Sequence, residues 1–212
     1  MPTLVLPDPL DAAGFNPSAK IPFGVEVGHV ASAMSDFIEF STVIDRQLHA
    51  KAMPSLENTM MQANFSSLVG EFIAARIPHH CPTVARNSYH NGHPDILPIG
   101  KYPGNAAQHA GLDGIEIKAS RYAKSWQGHN AEDVWLMVFV FQSGRIGPKV
   151  SGAPAFRFLL VAGARLTKKD WQFSGRSATS RRTITASVKS SGAARMMNNW
   201  IYKCRELREG QA

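Results

Sequence analysis

Long apolar runs, cysteine pairs and acidic charge are all scarce in this chain. The longest apolar run is VWLMVFVF, residues 134–141. That is far short of the roughly 18 residues that span a bilayer, and it suits a buried strand. The stretch MPTLVLPDPLDAAGF carries no basic flank and no unbroken apolar segment, so no secretory signal peptide is expected. Cys81 and Cys204 are far apart and match no metal or redox spacing. Two free thiols in a reducing cytoplasm is the simplest reading. There is no internal repeat, no low-complexity tract, and no helix-turn-helix or zinc-finger pattern.

Acid is in short supply overall, with 16 Asp/Glu against 23 Lys/Arg, a net charge of +7 and a pI near 9.6. The imbalance is local. Residues 151–212 hold 12 Lys/Arg and 3 Asp/Glu, whereas residues 1–150 hold 11 and 13. A basic C-terminal third on a slightly acidic body points to a polyanion partner, most simply nucleic acid. Within it, Lys168, Lys169, Arg176, Arg181, Arg182 and Lys189 alternate with Ser and Thr hydroxyls near Trp171 and Phe173. Ammonium, guanidinium and hydroxyl donors are the usual phosphate contacts. A solvated basic loop is the plain alternative.

At 212 residues and 44% hydrophobic content, the chain can bury one substantial core with extensions. Residues 1–24 read as an irregular arm. Val27, Val30, Met34, Phe37, Ile38, Ile44 and Leu48 recur at helical spacing over 25–49, and a second helix is expected over 55–77, in one piece or two, ended by Pro78. The Met- and Phe-rich 25–62 region is expected to pack on the sheet or to mediate dimerisation. The period then changes. TVARNSY (83–89) and DILPI (95–99) read as a hairpin around Asn91-Gly92. GIEIKAS (114–120), VWLMVFVFQ (134–142) and FRFLLVAGA (156–164) read as further strands, with 121–132 a polar loop and 182–188 a short strand. A final helix is expected from about 192 to 208. This order predicts an α/β fold with a central mixed sheet flanked by helices.

In a strand, alternate side chains point to opposite faces. Ile115, Ile117 and Ala119 then face a core, and Glu116 and Lys118 share the other face. Asp95 follows Pro94, 21 positions before Glu116. If 83–99 is a hairpin beside 114–120, Asp95 lies next to Glu116. Two carboxylates converging at a strand end, with the Ile117 carbonyl nearby, form a hard-oxygen site suited to Mg²⁺. An ammonium at Lys118 orients a metal-bound water and stabilises charge developing on phosphorus. The plain competing reading is a half-exposed Glu–Lys strand pair worth less than about 1 kcal/mol.

Pro94-Asp95 with Glu116-Ile117-Lys118 resembles the PD-(D/E)XK nuclease superfamily, the restriction-endonuclease-like fold, over roughly residues 65–142. The resemblance implies a Mg²⁺-dependent deoxyribonuclease, with Mn²⁺ able to substitute, that leaves 5′-phosphate and 3′-hydroxyl ends. It implies Asp95 and Glu116 as metal ligands and Lys118 as the catalytic lysine. It places Glu71 loosely as a further acid on the preceding helix. The domain reading that follows is an N-terminal arm and helical extension (1–64), a nuclease core (65–165) and a basic segment with a helix packed on the core (166–212). A restriction-type enzyme cutting double-stranded DNA implies a homodimer and a prokaryotic cytoplasm. A non-cleaving DNA-binding protein on the same scaffold and a repair or junction nuclease are the alternatives. His79, His80, Cys81, His90 and His93 are also candidate zinc ligands, in no recognised spacing. His93 is a candidate substrate contact, and Asp113 is expected to shape a turn.

Overall fold

The computed structural model describes residues 4–128, 130–144, 155–173 and 185–210. Their elements are, in chain order, α1 (Val27–Ala50), α2 (Gln62–His80), β1 (Val84–Arg86), β2 (Ile96–Pro98), β3 (Ile115–Ser120), β4 (Gln127–Gly128), β5 (Val134–Gln142), β6 (Arg157–Leu166), β7 (Trp171–Phe173), β8 (Ala186–Val188), α3 (Ser190–Asn198), β9 (Trp200–Lys203) and α4 (Arg205–Arg208). The fold is α/β, as the alternation of periods predicts. A six-stranded sheet runs β1-β2-β3-β5-β6-β9, and a three-stranded sheet runs β4-β8-β7. The larger sheet is mixed. The β3–β5 pair is parallel, and its other pairings are antiparallel.

β5 is buried on both faces, which explains its unbroken apolar sequence. Trp135, Met137, Phe139 and Phe141 join one core with α1 and α2. Val134, Leu136, Val138 and Val140 join a second with Trp126, Trp171 and Met196. Each such aliphatic or aromatic side chain contributes about 1.5–3 kcal/mol on burial. Phe37 of α1 is fully buried in the first core, with ring centroids 5.3, 5.1 and 5.9 Å from Phe72, Phe156 and Phe158. The Met and Phe stripe of α1 therefore packs inward at Met34 and Phe37. Gly163 of β6 lies under Trp135. A Cβ there would come within 2.4 Å of the indole, so the position takes glycine.

Three elements differ from the sequence expectation. Pro78 does not end the second helix but sits in its last turn. It removes one N–H from that turn, and the helix closes beyond it, with Cys81 donating to the Ile77 carbonyl at 3.0 Å. The polar loop after β3 contains β4 and a buried Trp126. The expected helix over 192–208 stops at Asn198, and Trp200–Lys203 instead form β9 on the edge of β6. The aromatic and β-branched Trp-Ile-Tyr triplet suits that edge, which tertiary pairing supplies and local spacing does not reveal. The irregular arm seals it. Asn16 donates from its backbone to Ile201 at 2.9 Å, and the Phe15 and Tyr202 rings lie 4.8 Å apart.

Two packing relations place β3. α2 lies on it through Gly70, where a Cβ would approach the Ala119 backbone to 3.7 Å. β2 pairs with it at Ile96 and Ile115 alone. Asp95, one residue before β2, is thereby brought opposite Glu116.

Candidate active site

Alternation along β3 divides its side chains as expected. Ile115 and Ile117 enter the first core, and Ala119 packs against it. Glu116 and Lys118 stand on the other face, in register with Leu136 and Val138 of the second core. Glu116 is only 6% exposed, and Lys118 is half-buried and ion-paired to it. Asp95 accepts a hydrogen bond from the Ile117 backbone N–H at 2.8 Å. The structure thus brings Asp95, Glu116 and Lys118 together. They line a cleft of about 490 Å³ with Glu71, Arg86 and His90.

His93 closes the cluster from behind. Its Nδ1 lies 2.9 Å from Glu116 Oε2, and its Nε2 meets Glu132. Burial disfavours the imidazolium, but the contacts with Glu116 and Glu132 outweigh it and push the His93 pKa up to about 10. Burial alone would raise the Glu116 pKa. Contact with His93 and the Lys118 charge reverse the balance and hold it below the usual carboxylate range. Lys118 keeps its proton in the same way, since Glu116 and Asp95 overcome its desolvation. Asp95 goes the other way. Burial, followed by the Glu116 charge, raises its pKa, and Lys118 and the Ile117 N–H only partly offset this. One carboxylate of the pair is thus held ionised, and its neighbour resists ionisation because it is buried and because the first is charged.

This arrangement fits a hard divalent cation. Within a strand, the N–H and C=O of one residue point to the same side, so the Ile117 carbonyl faces the Asp95 side along with its N–H. β2 has already diverged there and leaves that edge of β3 open. Glu116 Oε2 is buried with His93 Nδ1 2.9 Å away, and its other oxygen meets Lys118, so a cation would share this carboxylate with two charged neighbours. A cation beside Asp95 and Glu116 would offset the burial and the Glu116 charge that raise the Asp95 pKa, and water and phosphate oxygens can complete an octahedral shell. Among the described residues, no three His, Cys, Asp or Glu side chains converge as a metal cage. A cation here would rest on two side chains and one main-chain carbonyl.

Glu71 faces the same cleft but is paired with Arg86. The histidine and cysteine candidates for zinc are spread over separate partners. His80 contacts Asp36 at 2.6 Å, alongside Arg76 on the same carboxylate. Cys81 is buried, with its sulfur 3.1 Å from the Thr83 hydroxyl. Asp113 is taken up by Lys101 and Tyr102, which belong to the excursion between β2 and β3. Lys168 and Lys169 are exposed in a short turn before β7. The Lys168 N–H binds Asp133 at 2.9 Å, and Lys189 Nζ donates to the Lys169 carbonyl at 2.9 Å. Arg176, Arg181 and Arg182 lie outside the described residues.

Glu132 is the site residue that sequence reasoning missed. It precedes β5, and only the parallel pairing of β5 with β3 carries it to His93. Its backbone is anchored by Trp171, whose indole N–H donates to the Glu132 carbonyl at 2.9 Å. Comparison of the chain with models of known families, with curated proteins and with solved structures returned no match.

Proposed function

We propose that this chain is a Mg²⁺-dependent endonuclease hydrolysing double-stranded DNA, of restriction type, with residues 65–165 as a restriction-endonuclease-like core. The observation that carries the reading is the convergence of Asp95, Glu116 and Lys118 in one cleft, with Asp95 bound to the backbone of the residue between the other two. Asp95, Glu116 and the Ile117 carbonyl would hold the cation. Bound there, Mg²⁺ would supply Lewis acidity toward a phosphate oxygen and a water.

Lys118 holds the attacking water by its ammonium and offsets the negative charge that grows on the phosphoryl oxygens. Water adds its oxygen to phosphorus, the bond from phosphorus to the 3′-oxygen breaks, and the departing oxygen takes up a proton. The products are 5′-phosphate and 3′-hydroxyl ends. His93 and Glu132 keep in place the Glu116 carboxylate that would hold the cation together with Asp95. The exposed Lys168 and Lys169 bind flanking phosphates. Two copies related by a two-fold axis would cut both strands.

A second reading rests on charge balance. Glu116 and Glu132 are already countered by His93 and Lys118, which a non-cleaving DNA-binding protein on this scaffold also needs. Plasmid cleavage separates the two readings. Wild type and Lys118→Ala are incubated with supercoiled DNA of varied sequence and methylation, in Mg²⁺, Mn²⁺ or EDTA. Metal-dependent fragments from wild type alone support the nuclease. Intact plasmid with a retained gel shift selects the non-cleaving protein.

A further inference from the structure

Lys118 lines a second cavity as well as the first. This cavity, of about 800 Å³, lies between the first turn of α2 and the loop that leaves β3. Its walls are unlike those of the carboxylate cleft. Ala63 and Tyr122 provide apolar and aromatic surface, Lys118, Arg121 and Lys124 provide positive charge, three serines provide hydroxyls, and no Asp or Glu lines it. A cavity of this size accommodates a small organic molecule.

The loop is braced from inside. Ser120 Oγ accepts from the Tyr122 N–H at 3.0 Å and donates to the Tyr122 carbonyl at 3.1 Å. The buried Trp126 donates its indole N–H to the same carbonyl at 2.9 Å. The Tyr122 backbone is therefore fixed, while its ring is 73% exposed. An aromatic face held out on an anchored backbone loses little freedom when a flat partner stacks on it.

The cations and hydroxyls of this cavity suit a phosphodiester, which has no use for its ring and methyl surface. The mixture present here, with ring and methyl surface inside and ammonium groups nearby, matches a nucleotide with its base inward and its phosphate at Lys118. Bases in regular duplex are stacked inside the helix and cannot enter. We infer that the cavity beside Lys118 receives an unpaired nucleobase flanking the cleaved phosphodiester, so that duplex DNA is bound with one nucleotide unpaired at that place. The inference rests on the nuclease reading for the position of the cut but not for the binding itself.

The test is fluorescence anisotropy of the full chain in EDTA with three labelled duplexes: fully paired, with one bulged nucleotide, and with the same bulge lacking its base. The base-bearing bulge is expected to bind about tenfold tighter than the other two, in line with base–aromatic stacking. Tyr122→Ala, and separately Ala63→Trp, which fills the cavity from its exposed α2 wall, should each reduce the preference to within about twofold. Tyr122→Phe should keep it. Equal affinity for bulges with and without a base overturns the inference, as does a preference that survives both Tyr122→Ala and Ala63→Trp. Because no divalent ion is present, failure of the cleavage assay leaves this result readable. Cleavage without any base preference would retain the nuclease and discard the pocket.

Discussion

The Ile117 backbone N–H and the Asp95 carboxylate are joined by a 2.8 Å hydrogen bond across the open edge of β3. The bond replaces the strand-to-strand partner that β2, paired only at Ile115, does not provide. It also fixes Asp95 beside Glu116, so one contact serves both the fold and the site.

Asp95→Asn separates those two roles. The amide oxygen can accept from Ile117, and it mimics the protonated acid that burial and the Glu116 charge favour. The melting temperature should stay within about 2 °C of wild type, a change of under about 1 kcal/mol for a domain of this size. Metal-dependent cleavage should fall by at least about a hundredfold, as expected when a metal ligand and its charge are lost. Thermal melts and plasmid cleavage rates measure the two outcomes, and undiminished cleavage would remove Asp95 from the reaction.

Glu132 meets His93 and also adds to the negative charge felt by Lys118. Glu132→Gln should slow single-turnover cleavage about tenfold, the usual cost of losing a partner behind a metal ligand. DNA affinity in EDTA should not change. A loss of affinity equal to the loss of rate would make Glu132 a substrate contact instead.

The exposed Lys168 and Lys169 are assigned to phosphates. The logarithm of DNA affinity should fall linearly with the logarithm of salt concentration. In the double variant Lys168→Ala/Lys169→Ala the slope should become shallower by about 2. An identical slope would leave these lysines as ordinary solvated charge.

Asp170 supplies a pH signature far from the cleft. Arg195 grips both its oxygens, at 2.9 and 3.0 Å, and the Thr167 N–H adds a bond of 2.8 Å. The Arg195 contact leads the causes that hold the Asp170 pKa down to about 2. A depressed carboxylate stabilises the fold fully above its unfolded value of about 4, and that stability is lost as pH falls toward 2. Asp170→Asn should melt a few degrees lower than wild type at pH 7, with the two curves converging between about pH 4 and pH 2. Parallel curves over that window would assign the stabilisation to packing.

Much of this was legible in the sequence, for identifiable reasons. The alternation of β3, the run of β5 and the helical stripe of α1 are local patterns, and they place Glu116, Lys118 and Phe37 on their correct faces. Asp95 was reachable because a hairpin links it to β3 over a short span. Glu132 and β9 were not. Glu132 depends on a parallel pairing whose partner strand is unmarked in the sequence. β9 depends on a free sheet edge that overrides a helical pattern. The aromatic cavity depends on a loop whose bracing from Ser120 and Trp126 resembles an ordinary polar connection in one dimension.

The contact between Gly163 and Trp135 constrains more than this one fold. A side chain at 163 and an indole at 135 cannot share the space, because even one carbon would sit 2.4 Å from the ring. The two positions therefore behave as a single unit of inheritance. Any descendant of this chain that gains bulk at 163 must first, or simultaneously, trade the indole at 135 for something smaller. Neither residue touches the cleft, yet β5 carries Trp135 beside Ile115, just before Glu116. The evolutionary freedom of β3 is thus set partly by a glycine two strands away.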